Sequence, residues 1–114
     1  MTDRDRRAAV IASTVFNGID FIEIADATQT VLKVHFLNAV AVKATLTGAP
    51  TIKGGDVIRS VTALPIADTD WGWDEEHVVL TIHVAAPGDF SIYRLAIPSP
   101  ALDVFFNHTA FSFK

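Results

Sequence analysis

At 114 residues the chain has room for one two-layer core but not for two. Nine Lys and Arg against thirteen Asp and Glu give a formal net charge of −4, which argues against a nucleic-acid binder, whose phosphate footprint needs clustered Lys and Arg. The absence of cysteine removes disulfides, thiolate metal sites and thiol nucleophiles, and fits a reducing compartment. Half of the residues are apolar and mean hydropathy is +0.35, more apolar surface than so small a domain hides, so some of it is expected to face a partner.

In chain order, "MTDRDRRAAVIASTVFNG" places basic residues before an apolar run from Ala8 to Ala12, as a signal peptide would. The run is too short, Asp3 and Asp5 dilute the charge, Ser13 and Thr14 interrupt it, and no small-residue cleavage site follows. A short helix is expected instead, capped by Thr2 or Asp3, with Ala8, Ile11, Ala12 and Val15 on one face. It forms a helical arm over residues 1–18. No stretch approaches the ~18 apolar residues of a membrane span, so no membrane partner is expected.

From residue 19 the pattern has period two. In "IDFIEIA" (19–25) and "TVLKVHFL" (30–37) it predicts strands, the second with Leu32, Val34 and Phe36 inward and Lys33 and His35 outward. Gly48, Pro50 and Gly54-Gly55 then punctuate the chain, and short strands are expected near 41–47, 50–53 and 57–64. After a polar loop at 65–76, "HVVLTIHVA" predicts a strand with Val78, Leu80, Ile82 and Val84 inward. Pro87-Gly88 ends it, and "PGDFSIYRLAIP" reads as a tight crossing between sheets. Asp89 and Tyr93 have the spacing of a tyrosine corner, in which the hydroxyl bonds upstream backbone; an ordinary hairpin tyrosine is the alternative. Pro98 and Pro100 end that strand, and Thr109–Lys114 supplies the last, with Phe111 and Phe113 facing one side. The pattern predicts an all-β domain over residues 19–114, an antiparallel, immunoglobulin-like β-sandwich of about seven strands.

The most suggestive segment is "DTDWGWDEEH" at 68–77. Asp68, Asp70 and Asp74 around Gly72 loosely follow the start of a calcium loop, but the glycine falls early and no glutamate closes it, so a solvated acidic loop is expected. Trp71 and Trp73 are expected as interface anchors or as a cap on the core, with a sugar-stacking platform as the alternative. Neighbours in an extended segment point to opposite faces, so Phe105 and Phe106 cannot both enter one core; one of them is expected at an interface, and Phe111 and Phe113 of the final strand join that candidate set. Of the four histidines, His77 and His83 stand about 20 Å apart along a strand, too far to share a metal, His35 can join only one of them, and His108 falls in a loop. Gly54-Gly55 lacks the Lys-Ser/Thr and helix of a phosphate loop, and Asp20 and Glu23 read as solvent-face and turn residues. No catalytic residue, cofactor site or metal site is expected.

Taken in order, "NGIDFIEI" (17–24), "VLKVHFL" (31–37), "IKGGDVIRSV" (52–61), "GDFSIYRL" (88–95) and "LDVFFNHTAFSFK" (102–114) resemble the N-terminal domain of baseplate assembly proteins of phage tails and related contractile injection systems. The resemblance implies a domain preceding a larger assembly region, and no catalytic residue here. Val104 stands where that pattern leads to a proline, and the cysteine-containing stretch beyond the final lysine is missing, so the chain is expected to be a trimmed domain or a stand-alone relative. The expected role is a structural or assembly module contacting other baseplate or tail subunits, homo-oligomers included, assembled in the bacterial cytoplasm or in a tail-like particle. The alternative is a carbohydrate-binding or adhesive sandwich using the Trp71/Trp73 loop.

Overall fold

Period-two apolar residues become strands because alternate side chains can then enter one shared interior while the backbone pairs sideways. The computed structural model describes residues 2–113. A helix α1 (Asp3–Ile11) precedes β1 (Ile19–Ile24), β2 (Val31–Phe36), β3 (Thr51–Gly54), β4 (Ser60–Val61), β5 (Trp71–Asp74), β6 (His77–His83), β7 (Ile92–Ala96) and β8 (His108–Ser112). The strands form two antiparallel sheets in the orders β1-β2-β6-β5 and β4-β3-β7-β8. That is the immunoglobulin-type arrangement with one extra edge strand: β1, β2, β6 and β5 stand as A, B, E and D, and they face β3, β7 and β8 as C, F and G, with β4 added beside β3.

Leu32 opposite Ile82 and Val34 opposite Leu80 place the apolar sets of β2 and β6 on one face. They meet Ile52 of β3, Tyr93 and Leu95 of β7, Ile97, Phe111 of β8 and Phe113 across the interior. Each fully buried side chain of this size contributes about 1.5–3 kcal/mol. Tyr93, Phe111 and Phe113 form a ring cluster with centroids 5.3 to 6.2 Å apart.

The sheets are also joined at their margins. Beyond β4 the chain crosses to the first sheet, where Leu64 N–H donates to the His83 carbonyl (2.7 Å) and Ala85 N–H to that of Thr62 (3.0 Å). On the other side, Ile19 N–H donates to the Phe106 carbonyl (2.7 Å).

Tyr93 sits fully buried where β7 begins. Its hydroxyl donates to the Ile58 carbonyl and accepts from Asp89 N–H at 3.0 Å. The corner is therefore present, with its upstream backbone partner at Asp89 and a second, unforeseen partner in the β3–β4 turn. A Cβ on Gly88 would lie 2.5 Å from the Tyr93 ring, and one on Gly55, at φ +79°, 2.5 Å from its hydroxyl. The ring therefore requires glycine at both positions.

Four expectations need correction. Residues 41–47 hold no strand; Lys43–Thr45 is a 3₁₀ turn closed by Thr45 Oγ1 donating to the Val42 carbonyl (2.7 Å), and Val42 alone of that run is deeply buried. Of 57–64 only Ser60–Val61 pairs as a strand with β3, because the Val57 and Ile58 N–H groups are taken by Asp89 Oδ2, each at 2.9 Å. Within the expected loop at 65–76, Trp71–Asp74 is a true edge strand, joined to β6 by a turn in which Glu75 adopts φ +57°. The helix, capped as expected by Thr2 Oγ1 accepting from Asp5 N–H (3.2 Å), stops at Ile11 and buries Val10 instead of the Ala8, Ile11, Ala12, Val15 stripe. Ser13 Oγ accepts the N–H groups of Val15 and Phe16, holding that segment in a turn.

Asn17, the one fully buried polar residue among those described, follows this turn. Its Nδ2 donates to the carbonyls of Asn38 (3.1 Å) and Val40 (2.9 Å), and its Oδ1 accepts from Gly18 N–H (2.8 Å) and Asn38 N–H (3.1 Å). Asn38 Nδ2 in turn donates to the carbonyls of Val10 (2.7 Å) and Phe16 (2.8 Å), tying α1 to the end of β2.

Candidate protein-protein interface

The β5–β6 hairpin carries both tryptophans, and the register sets Trp71 opposite Leu80 and Trp73 opposite Val78. Alternation puts both rings on the core side of the sheet. Their environments differ all the same. Trp71 packs against Phe36, ring centroids 6.4 Å apart, whereas Trp73 is 64% exposed. A stacking platform needs two free ring faces, and only Trp73 offers one.

The carboxylates of the acidic segment do not converge. Asp68 reaches Lys43 Nζ (2.9 Å); Asp70 caps the short 3₁₀ turn by accepting from Ala67 N–H (2.8 Å) and also faces His83 Nε2 (3.3 Å). Asp74 lies 4.0 Å from His35 Nδ1. Among the described residues no group of three or more His, Asp and Glu is placed to hold a metal ion. The histidines have separate environments: His35 stacks on Phe21 (centroids 4.3 Å apart) with Nε2 2.8 Å from Glu23 Oε1, His77 Nδ1 lies 3.2 Å from the Phe36 carbonyl, and His108, which opens β8 opposite Ala96 rather than falling in a loop, has Nδ1 2.8 Å from Asn107 Oδ1.

The phenylalanines divide. Phe111 and Phe113 belong to the core cluster around Tyr93, so this fold does not offer them to a partner. Phe106 is half-buried; its Cβ would stand 2.7 Å from any Cβ on Gly18, so the chain here is in close contact with the start of β1. Residues 104–107 form turns rather than extended chain, so alternation does not govern this pair. Phe105 is 59% exposed beneath the Arg6 guanidinium, 3.9 Å from its centroid. Arg6 Nε also donates to Asp103 Oδ1 (2.9 Å), which accepts Phe105 N–H at the same distance. Burial works to raise the Asp103 carboxyl, but these bonds outweigh it and hold the group below its ordinary value.

Two further apolar residues, Phe16 and Val104, line a shallow groove with Arg6 and Asp103, and both are exposed. Their only sequence signal was the apolar excess itself, since neither lies in a periodic segment. Phe16 and Val104 thus line a groove with the Arg6–Asp103 ion pair, Phe105 lies under the same Arg6 guanidinium, and Trp73 is exposed on the β5 edge. β8 is an outer strand of its sheet, paired to β7 on one side and lying beside β1 on the other. Lys114, the last residue of the expected final strand at 109–114, lies outside the described residues.

Residues 1–111 match the family described as phage baseplate assembly protein, N-terminal domain. Neither curated proteins nor solved structures give a match.

Proposed function

Because the chain belongs to the phage baseplate assembly protein N-terminal domain family, and so has a structural, assembly role in phage tails, we propose that it performs this role by direct, non-catalytic docking on other baseplate or tail subunits. The observation that carries the reading is the exposed apolar surface of Phe16, Val104 and Phe105, held in place by Arg6 and Asp103. Aromatic anchors beside an arginine are the composition that protein interfaces favour. Trp73, exposed on the β5 edge, is a secondary contact. Residues 1–18 serve as an arm and 19–114 as the sandwich; the support for that division is the change from helical to period-two structure at Gly18. Assembly takes place in the bacterial cytoplasm or on the tail particle, and no described helix is long and apolar enough to cross a membrane.

The test is a mass measurement of the chain mixed with baseplate subunits. Complex formation that Phe105→Ala and Val104→Ser weaken at least about tenfold is expected, about 1.4 kcal/mol. Absence of any complex at high micromolar concentration would overturn the proposal.

A further inference from the structure

The outer face of the second sheet presents an electrostatic arrangement that folding alone does not account for. Lys53 of β3 stands directly opposite Arg94 of β7, both exposed. Like charges in directly opposed positions destabilise a sheet. Among the described residues neither has an anionic partner within salt-bridge distance, nor does Arg59 in the adjoining turn, although the chain carries a net charge of −4.

Beside these cations lies an apolar group. Ile92 shares the outward face of β7 with Arg94 and is 69% exposed; Phe90 and Val57, in the loops at the same end, are 82% and 83% exposed. These loops are rigidly tied. Asp89 Oδ2 accepts both Val57 and Ile58 N–H, Asp56 N–H donates to Ser91 Oγ (3.2 Å), and the Tyr93 hydroxyl secures Ile58 from below. Ordered display of large apolar side chains beside uncompensated cations calls for an acidic, apolar counter-surface.

The same chain carries one. At the tip of the β5–β6 hairpin, Asp74, Glu75 and Glu76 are exposed and directly follow the exposed Trp73 in the chain, and neither Glu75 nor Glu76 has a cationic partner among the described residues. We propose that the basic, apolar face of one copy, centred on Lys53, Arg94 and Ile92, docks on the acidic Trp73 hairpin of a second copy. The proposal rests on the assembly reading above and names one of its contacts. The two patches differ, so the contact is head to tail, and repetition closes a ring or extends a row.

Sedimentation of the 114-residue chain tests it. Association is expected at up to about 500 µM protein in about 50 mM salt, weakened at least about tenfold in about 500 mM salt, where the screening length falls several-fold. The variants K53S/R94S and E75Q/E76Q are each expected to remain monomeric alone. Mixed, each supplies the face the other lacks, and a one-to-one dimer that grows no further is expected. K53S/R94S removes a repulsion, so its thermal midpoint should equal or exceed that of the parent and loss of folding will not mimic loss of docking. A monomeric parent, unaltered association of either variant, or a mixture that stays monomeric would overturn the proposal. If the chain is monomeric yet still binds baseplate subunits, the head-to-tail contact falls and the assembly reading stands.

Discussion

The two ends of the sandwich are closed by different chemistry. Where β6 leaves the first sheet, Tyr93 supplies a large buried ring and asks only that its hydroxyl find a donor and an acceptor. At the opposite end, where β2 finishes, Asn17 contributes almost no apolar surface and instead satisfies four backbone groups at once. An aromatic corner stabilises by burial and is trimmed by hydrogen bonding; an amide lock stabilises by leaving no buried backbone group unpaired. The first tolerates loss of its polar part. The second has no apolar part to fall back on.

Breaking the amide end should therefore cost most. Asn17→Ala strands the N–H groups of Gly18 and Asn38 and the carbonyls of Asn38 and Val40, and a loss of about 3 kcal/mol or more is expected in urea unfolding. A loss below about 1 kcal/mol would show that water replaces the amide and that the contrast between the ends is false. Gly88→Ala comes next, since its Cβ meets the Tyr93 ring and its hydroxyl at 2.5 Å; overpacking of about 2 kcal/mol is expected, and Tyr93→Phe, which leaves the ring in place, should relieve it only in part.

Tyr93→Phe alone sharpens the comparison. It keeps the burial and removes the bonds to Ile58 and Asp89, so about 1–2 kcal/mol should be lost with the denaturant slope unchanged. The finest probe is pH. The Ser91 hydroxyl first, then the N–H groups of Ile58 and Val57, favour ionised Asp89 and hold its carboxyl far below the usual carboxylate range. A depressed folded-state value means that its stabilisation is fully present above the unfolded value of about 4 and is lost as pH falls below it. Asp89→Asn should flatten that acid limb of the stability curve while leaving the Asn17 end unaffected; an unchanged limb would remove Asp89 from the corner.

This contrast also explains how much could be read in advance. Tyr93 and Asp89 are four residues apart, within one crossing, so a local spacing exposed their partnership. Asn17 bonds across more than twenty residues to backbone carbonyls, which carry no side-chain signature. The candidate interface was legible to a similar degree. Trp73 stood out with Trp71 in an acidic segment and Phe105 only as one of an adjacent pair that cannot both enter one core, while Phe16 and Val104 lie in aperiodic turns and gained meaning only when Arg6 and Asp103 met beside them. Lys53 and Arg94 are forty-one residues apart in the chain and become neighbours only through the pairing of β3 with β7.

By itself the sequence determined strands β1–β3 and β6–β8, the inward set of β2 and β6, the antiparallel sandwich and the spacing of the tyrosine corner, because each follows from side-chain alternation or from a turn a few residues long. Only the tertiary structure decided that Trp71, Phe111 and Phe113 fill the interior while Trp73 and Phe105 remain outside, and that two cations share a face. Alternation tells which residues lie on the same side of a strand, but which side is covered depends on what the other sheet brings over it.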